Sequence, residues 1–143
     1  MRLAWLLACV GALAACADGY PVEDAPLLDE TTMSTAQLLT TLNTVGSRPH
    51  LNAHYRYAQT AGCVLHIDSG TRRTPARVAL PLAGADIEIR TVDGPEAWQV
   101  LVRPADTAAA APALLLQGGK WADAVQARSL VQQLQRRCAA APG

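Results

Sequence analysis

The pattern of apolar and polar positions predicts two helices that flank a set of short strands. The first helix is predicted over residues 33–46, where leucines recur at helical spacing. Ser34 and Gln37 have the spacing of a capping box, and Met33 and Leu38 have the spacing of a hydrophobic staple. This segment therefore carries its own signal for where the helix begins.

The middle of the chain alternates with the period of two that a half-buried strand shows. The main predicted strands cover residues 63–67, 77–82, 86–90 and 98–102. Short turns predicted at 68–70 and 93–95 make antiparallel neighbours the expectation. Pro81 indicates that its strand lies at an edge or contains a bulge. Shorter runs at 55–57 and 114–116 are candidates to open and close the sheet.

A second helix is predicted over residues 121–139. Its apolar positions fall at spacings of three and four, and they are Ala124, Ala127, Val131, Leu134 and Cys138. The expected fold is α+β, an antiparallel meander of four or five strands with an N-terminal helix and a C-terminal helix packed on the sheet. The alternative is a curved sheet that closes toward a pleckstrin-homology-like half barrel with a C-terminal helix.

Composition and charge fit one compact domain of ordinary surface chemistry. The chain has 143 residues, and 50% of them are apolar, which is enough to bury a core. Twelve basic residues balance 12 acidic ones. This balance argues against nucleic acid as a partner and against a polybasic membrane surface.

The first residues have the organisation of a secretory signal. Arg2 precedes an uncharged run over residues 3–15, and small residues follow. This run is too short for a hydrocarbon core of about 30 Å, which needs roughly 20 residues of helix. Export is therefore the expectation for this chain.

Leu13-Ala14-Ala15-Cys16 resembles the lipobox of bacterial lipoproteins. The resemblance implies that Cys16 is lipidated on its sulfur and becomes the first mature residue. In that family, Asp after the cysteine commonly retains the protein in the inner membrane; Ala17 stands there in this chain, which favours the outer membrane. The alternative is ordinary cleavage after Ala17, which releases a soluble secreted protein.

The resulting organisation has three parts: a lipoprotein signal peptide over 1–15, a lipidated cysteine with a flexible acidic tether over 16–32, and one globular α+β domain over 33–143. Residues 17–30 contain five carboxylates, two prolines and no basic residue. A charged, flexible segment of this kind is typical of a tether that holds a domain clear of lipid headgroups.

The cysteines sort by position. Cys9 leaves with the signal peptide and Cys16 is assigned to lipid, so Cys63 and Cys138 remain. In an oxidising compartment, an even pair in a small domain predicts a disulfide. The predicted strand face that holds Cys63 and the apolar helix face that ends at Cys138 would bring the two thiols together.

Four potential metal ligands lie close in sequence: His50, His54, Cys63 and His66. A strand over 63–67 would point Cys63 and His66 to opposite faces, which argues against a shared ion. Surface histidines are the simpler interpretation, so no metal site is predicted.

No constellation for catalysis is predicted either. His66, Asp68 and Ser69 are explained as a polar turn, and no G-x-S-x-G elbow occurs in the sequence. Gly118-Gly119-Lys120 lacks the earlier glycine and the following Ser or Thr of a phosphate loop. We therefore expect no enzyme activity, no cofactor and no small-molecule substrate.

The expected function is that of a small envelope lipoprotein, a non-catalytic binding or assembly accessory anchored to the outer membrane and facing the periplasm. Its partners would be the membrane, through the lipid, and another envelope protein. Arg72, Arg73 and Arg77 form a basic hairpin end that is explained by solvation, or else meets an acidic partner or anionic lipid. The alternatives are a periplasmic inhibitor or immunity protein of a lytic enzyme, and a small hydrolase or metal binder.

Overall fold

The computed structural model describes residues 29–51, 53–71, 73–94, 98–107 and 111–140. Within these ranges, two α-helices bracket six strands: α1 (Thr35–Gly46), β1 (His54–Thr60), β2 (Val64–Thr71), β3 (Thr74–Pro81), β4 (Asp86–Thr91), β5 (Trp98–Arg103), β6 (Ala113–Gly118) and α2 (Trp121–Ala140). A short 3₁₀ helix, Ala105–Thr107, lies between β5 and β6. The strands form two antiparallel sheets, which we name sheet A, in the order β1-β2-β3, and sheet B, in the order β4-β5-β6.

The α+β class and both helices are confirmed, whereas the single meander of four or five strands is wrong. The short apolar runs at both ends of the set extend into full strands, which gives six strands in two sheets of three. The break falls between β3 and β4, where Leu82 and Ala85 lie in a tight loop. The Gln135 amide of α2 donates to the carbonyl oxygens of both residues at 2.8 Å. The carbonyl oxygens of this loop therefore bond to α2, and the strand pairing of sheet A does not continue into β4.

α1 begins as the sequence predicts. The Ser34 N–H donates to Gln37 Oε1 at 2.8 Å, and the Gln37 N–H donates to Ser34 Oγ at 3.3 Å. Leu38 and Leu42 are fully buried, and Met33 packs against the core. A capping box of this kind satisfies two backbone donors that the first turn would otherwise leave without partners.

α1 lies against β1 at unusually close range. The Asn43 side chain accepts from the Tyr57 N–H at 2.8 Å and donates to the Tyr57 carbonyl oxygen at 2.9 Å. A β-carbon added to Gly46 would lie 2.6 Å from the Tyr55 carbonyl oxygen and 2.8 Å from a ring carbon of Tyr57. Only glycine fits at this crossing, and Asn43 takes the place of a neighbouring strand.

The turn between β2 and β3 lies later than the sequence indicated. The predicted turn at 68–70 is part of β2, and the chain reverses between Thr71 and Thr74. Gly70 has φ +120°, and a β-carbon there would lie 2.1 Å from the Thr74 carbonyl oxygen. This position inside the ladder therefore requires glycine, which is why it resembles a turn residue in the sequence.

Cys63 lies in the turn that joins β1 to β2, so its placement within a strand was wrong. It has φ 61°, a left-handed conformation that is uncommon outside glycine. The predicted disulfide is present: Cys63 is bonded to Cys138, with 5.6 Å between the two α-carbons. The bond links a turn of sheet A to the last part of α2.

The inner faces of both sheets and both helices share one hydrophobic core. α2 packs on sheet B and on α1, and α1 packs on β1. On α2 the buried positions include the predicted Ala124, Ala127, Val131 and Leu134. The Tyr57 hydroxyl donates to the Leu115 carbonyl oxygen at 2.7 Å, which joins the two sheets across the core, and burial raises the pKa of this phenol well above its ordinary value.

β3 is the free edge of sheet A, and the direction of the backbone hydrogen bonds determines which of its N–H and carbonyl groups remain unpaired. Each residue of a central antiparallel ladder points its backbone N–H and carbonyl to one side, and the side alternates along the strand. Tyr57 points these groups at Asn43, away from β2. Its partner Ile67 therefore points to Val78 of β3, with which it is in register.

The same alternation determines which groups β3 presents to solvent. The residues beside Val78, which are Arg77 and Ala79, direct their backbone groups outward, and so do Pro75 and Pro81. Proline has no N–H, so the edge offers donors at only two of these four positions. The predicted edge placement of Pro81 is confirmed.

Candidate functional site

The side of sheet A that faces away from the core, which we name the outer face, presents an ordered array of side chains. Burial alternates along β1 and β2, so every second residue points outward. In register across the three strands, the outer face consists of the rows His54, Gly70, Pro75; Arg56, Asp68, Arg77; Ala58, His66, Ala79; and Thr60, Val64, Pro81. All twelve residues are exposed or half-buried.

The central row is a charged ladder. The Arg77 guanidinium donates to both oxygens of the Asp68 carboxylate, from Nε at 2.5 Å and from Nη2 at 3.3 Å. This forked hydrogen bond, together with the charges of Arg77 and Arg56, lowers the pKa of the Asp68 carboxyl below its ordinary value of 3.8. The same pairing raises the pKa of Arg77. The Asp68 carboxylate is thus paired with Arg77, and the charge of Arg56 acts on it without forming an ion pair.

Two depressions border this row. The first, about 520 Å³, lies between the end of α1 and the outer face, and its lining includes Asn43, Arg56, His66 and Asp68. The second, about 620 Å³, lies toward the β2–β3 turn, and its lining includes Arg56, Asp68 and Arg77. Arg56 and Asp68 line both, so the charged row separates two concave surfaces.

A second polar cluster lies at the start of α2. Asp123 is 1% exposed, and its carboxylate binds the Arg48 guanidinium through one oxygen and His50 Nε2 through the other. Arg48 Nη2 also donates to Gln126 Oε1 at 2.9 Å. Asp123 is the third residue of the helix, where the helix dipole favours an anion. The cluster connects the loop after α1 to the first turn of α2, and we name it the brace.

The four potential metal ligands are not brought together. Cys63 is bonded to Cys138 and His50 binds Asp123. His54 and His66 both lie on the outer face, but in different rows. His66 Nε2 is 3.1 Å from Thr60 Oγ1. Within the described ranges, no group of three or more His, Cys, Asp or Glu side chains could hold a metal ion.

The polar residues considered for nucleophilic chemistry are separated by the sheet itself. His66 and Asp68 point outward, whereas Ser69 follows the inward series of Leu65 and Ile67. Arg77 of the basic hairpin end is committed to Asp68, and Arg73 is exposed at the turn. Arg72 lies outside the described residues.

The Gly118-Gly119-Lys120 segment has a packing role. Gly118 is buried at the end of β6, and a β-carbon there would lie 2.6 Å from a methyl carbon of Leu51. The helix that follows already holds the Asp123 carboxylate in its first turn. Gly118 therefore leaves the space in which the Leu51 side chain packs against the end of β6.

Two features were not predicted from the sequence. Asp123 is the sequence signal by which the brace could have been found. It lies four residues before Ala127 and seven before Leu130, on the buried face of α2, and a buried carboxylate needs a cationic partner. The other is an aromatic pair: the rings of Trp98 and Trp121 meet edge to face, with centroids 4.6 Å apart, and Trp121 is 40% exposed.

No family model, curated protein or solved structure matches this chain. The predicted lipidation site, Cys16, lies outside the described residues. Neither helix of the described part has the length and apolar character needed to cross a membrane.

Proposed function

We propose that this chain is a small envelope lipoprotein whose domain acts as a non-catalytic binding or assembly accessory, anchored to the outer membrane and facing the periplasm. The observation that carries the proposal is the outer face of sheet A. It is an exposed surface on three paired strands, and its central row holds the Asp68–Arg77 ion pair.

The polar clusters of the domain support binding over catalysis. The contacting histidine and carboxylate, His50 and Asp123, belong to the brace, where the carboxylate also binds Arg48 and is buried. Such a site stabilises the junction of a loop and a helix. The side chains of the outer face, by contrast, point away from the core and are exposed or half-buried.

The anchor rests on the sequence. The lipobox-like Leu13-Ala14-Ala15-Cys16 lies at the end of an apolar run, as a lipoprotein signal requires. Acyl chains contribute about 0.8 kcal/mol for each buried methylene, so two or more chains hold a protein on a membrane stably. Mass spectrometry of the native N-terminal peptide should find an acylated Cys16. An unmodified terminus at Asp18 would refute the anchor.

An affinity capture from detergent extracts tests the binding role. The full chain is expressed with an affinity tag in a bacterial host that has an outer membrane, and it is then cross-linked and purified. We expect a stable complex with another envelope protein. A complex with an exported lytic enzyme alone would support the inhibitor or immunity protein instead, and no partner at all would contradict both.

Two matched variants locate the contact. Ala79→Glu adds a bulky anion to the outer face, whereas Thr91→Glu adds the same charge to an exposed end of sheet B. We expect the partner to be lost with Ala79→Glu and retained with Thr91→Glu. Equal retention in both would show that the outer face is not the binding surface.

A further inference from the structure

We propose that the outer face of sheet A recognises an acidic segment of a partner protein, with Arg56 as the principal contact. This inference rests on the proposed binding function and names the chemistry of its partner. It follows from how charge is distributed in the central row.

Arg56 is the cation that the row leaves available. The Asp68 carboxylate is taken by the forked hydrogen bonds of Arg77, at 2.5 and 3.3 Å. Arg56 is in register with Asp68 on the opposite strand, yet it forms none of the ion pairs found among the described residues. The row therefore carries one positive charge more than it neutralises.

The surroundings of Arg56 suit an incoming carboxylate. Its side chain is exposed and lies where the two depressions meet, so an anion can approach from either one. The neighbouring row has Ala58 and Ala79 on its two outer strands, which leaves space for the side chains of a bound segment. A guanidinium binds carboxylate through two parallel hydrogen bonds, which gives direction as well as attraction.

The charges favour a protein segment over a lipid surface. Recognition of anionic lipid by basic residues typically uses clusters of four to eight Lys or Arg. The outer face holds two arginines, one of which is neutralised by Asp68, and it has no exposed large apolar side chain to insert. An acidic segment of a few residues matches a single available guanidinium better than a membrane does.

The test uses a hexaglutamate peptide as the probe and the full mature protein in neutral detergent. Backbone amide shifts are followed by NMR as the peptide is added. We expect saturable shifts on β1, β2 and β3, and weaker binding as salt is raised, because exposed charges are screened beyond about 10 Å at 0.1 M ionic strength.

Arg56→Gln is compared with Arg90→Gln, which removes the same charge from the outward side of sheet B, where Arg90 pairs with Glu88 at 2.6 Å. We expect Arg56→Gln to weaken binding of the peptide about fivefold or more, and Arg90→Gln to weaken binding less than about twofold. Both sites are exposed, so both variants should fold, and their NMR spectra report this directly.

Three results would overturn the inference: no saturable shift on sheet A, equal weakening by both variants, or binding of phosphatidylglycerol vesicles that depends on Arg56 in the absence of any binding of the peptide. The outcome stays distinct from that of the proposed function. If the partner captured from extracts still binds the Arg56→Gln variant, the proposed binding role is retained, and recognition of an acidic segment through Arg56 is contradicted.

Discussion

Arg48 and His50 bind opposite oxygens of the same buried carboxylate, that of Asp123. The carboxylate lies in the first turn of α2, and the two cationic or polar side chains come from the loop that follows α1. Their side chains are 32% and 33% exposed, so each reaches from solvent to a charge that solvent does not reach. The brace therefore holds the loop to the helix by electrostatic contact at the margin of the core.

Replacement of Asp123 by alanine should lower the free energy of unfolding by about 2 to 4 kcal/mol, because hydrogen bonds to charged partners are lost and Arg48 is left beside a buried surface. Urea denaturation of the full protein in detergent measures this change. Asp123→Asn should cost less, since the amide oxygen still accepts from Arg48. Asp106→Ala, at an exposed carboxylate, is the control and should stay within about 0.5 kcal/mol of the parent.

Loss of the disulfide should be more costly. Cys63 and Cys138 are 75 residues apart. A crosslink that closes a loop of this size lowers the conformational entropy of the unfolded chain, which raises the free energy of unfolding by about 4 kcal/mol. The double variant Cys63→Ser with Cys138→Ser should unfold at a lower urea concentration than the oxidised parent. The reduced parent should match the variant. An unchanged midpoint after reduction would contradict a stabilising role for the bond.

Gly46→Ala tests the contact between α1 and β1. Helix propensity alone would favour alanine by roughly 1 kcal/mol. The new methyl would lie 2.6 Å from the Tyr55 carbonyl oxygen, which is backbone and cannot move freely, so we expect destabilisation of about 1 to 3 kcal/mol.

Gly118→Ala is the matched control for that crossing. Its methyl would also lie 2.6 Å from a neighbour, but the neighbour is the end of the Leu51 side chain, which can rotate. The loss should therefore be smaller than for Gly46→Ala in the same urea titration. Equal losses would show that backbone proximity at Gly46 does not decide the cost.

The Asp68–Arg77 pair should be visible in the titration of the carboxyl. Hydrogen bonds from Arg77 lower the pKa of Asp68 from 3.8, so the pair stabilises the fold above the unfolded pKa. This contribution is lost as pH falls through the lowered folded pKa. NMR titration of the Asp68 carboxyl should show the lowered value, and Arg77→Gln should raise it toward the ordinary one. A pKa that does not respond to this substitution would contradict the ion pair.

The elements that the sequence predicted well are those determined by local signals. The capping box of Ser34 and Gln37 and the apolar spacing of α2 involve residues within a few positions of one another, and both appear in the structure. The pairing of Cys63 with Cys138 was also predicted, because the other cysteines could be assigned to export.

The features that were missed depend on contacts far apart in sequence. The division into two sheets falls at the loop after β3, whose carbonyl oxygens accept hydrogen bonds from Gln135 of α2, a contact that no strand pattern contains. Gly70 has the appearance of a turn residue, although it lies within a strand, where the close carbonyl oxygen of Thr74 leaves no space for a β-carbon. The outer face became visible only when the register placed Arg56, Asp68 and Arg77 side by side across three strands.

The prolines of β3 bear on how the protein behaves when many copies are crowded side by side, as a lipid anchor would hold them. Pro75 and Pro81 remove the amide donors at both ends of the free edge, which leaves only those of Arg77 and Ala79. Two neighbouring molecules that touch along this strand can therefore exchange few backbone hydrogen bonds. The prolines thus disfavour pairing of sheet A with sheet A along β3 when the molecules lie close together on a surface.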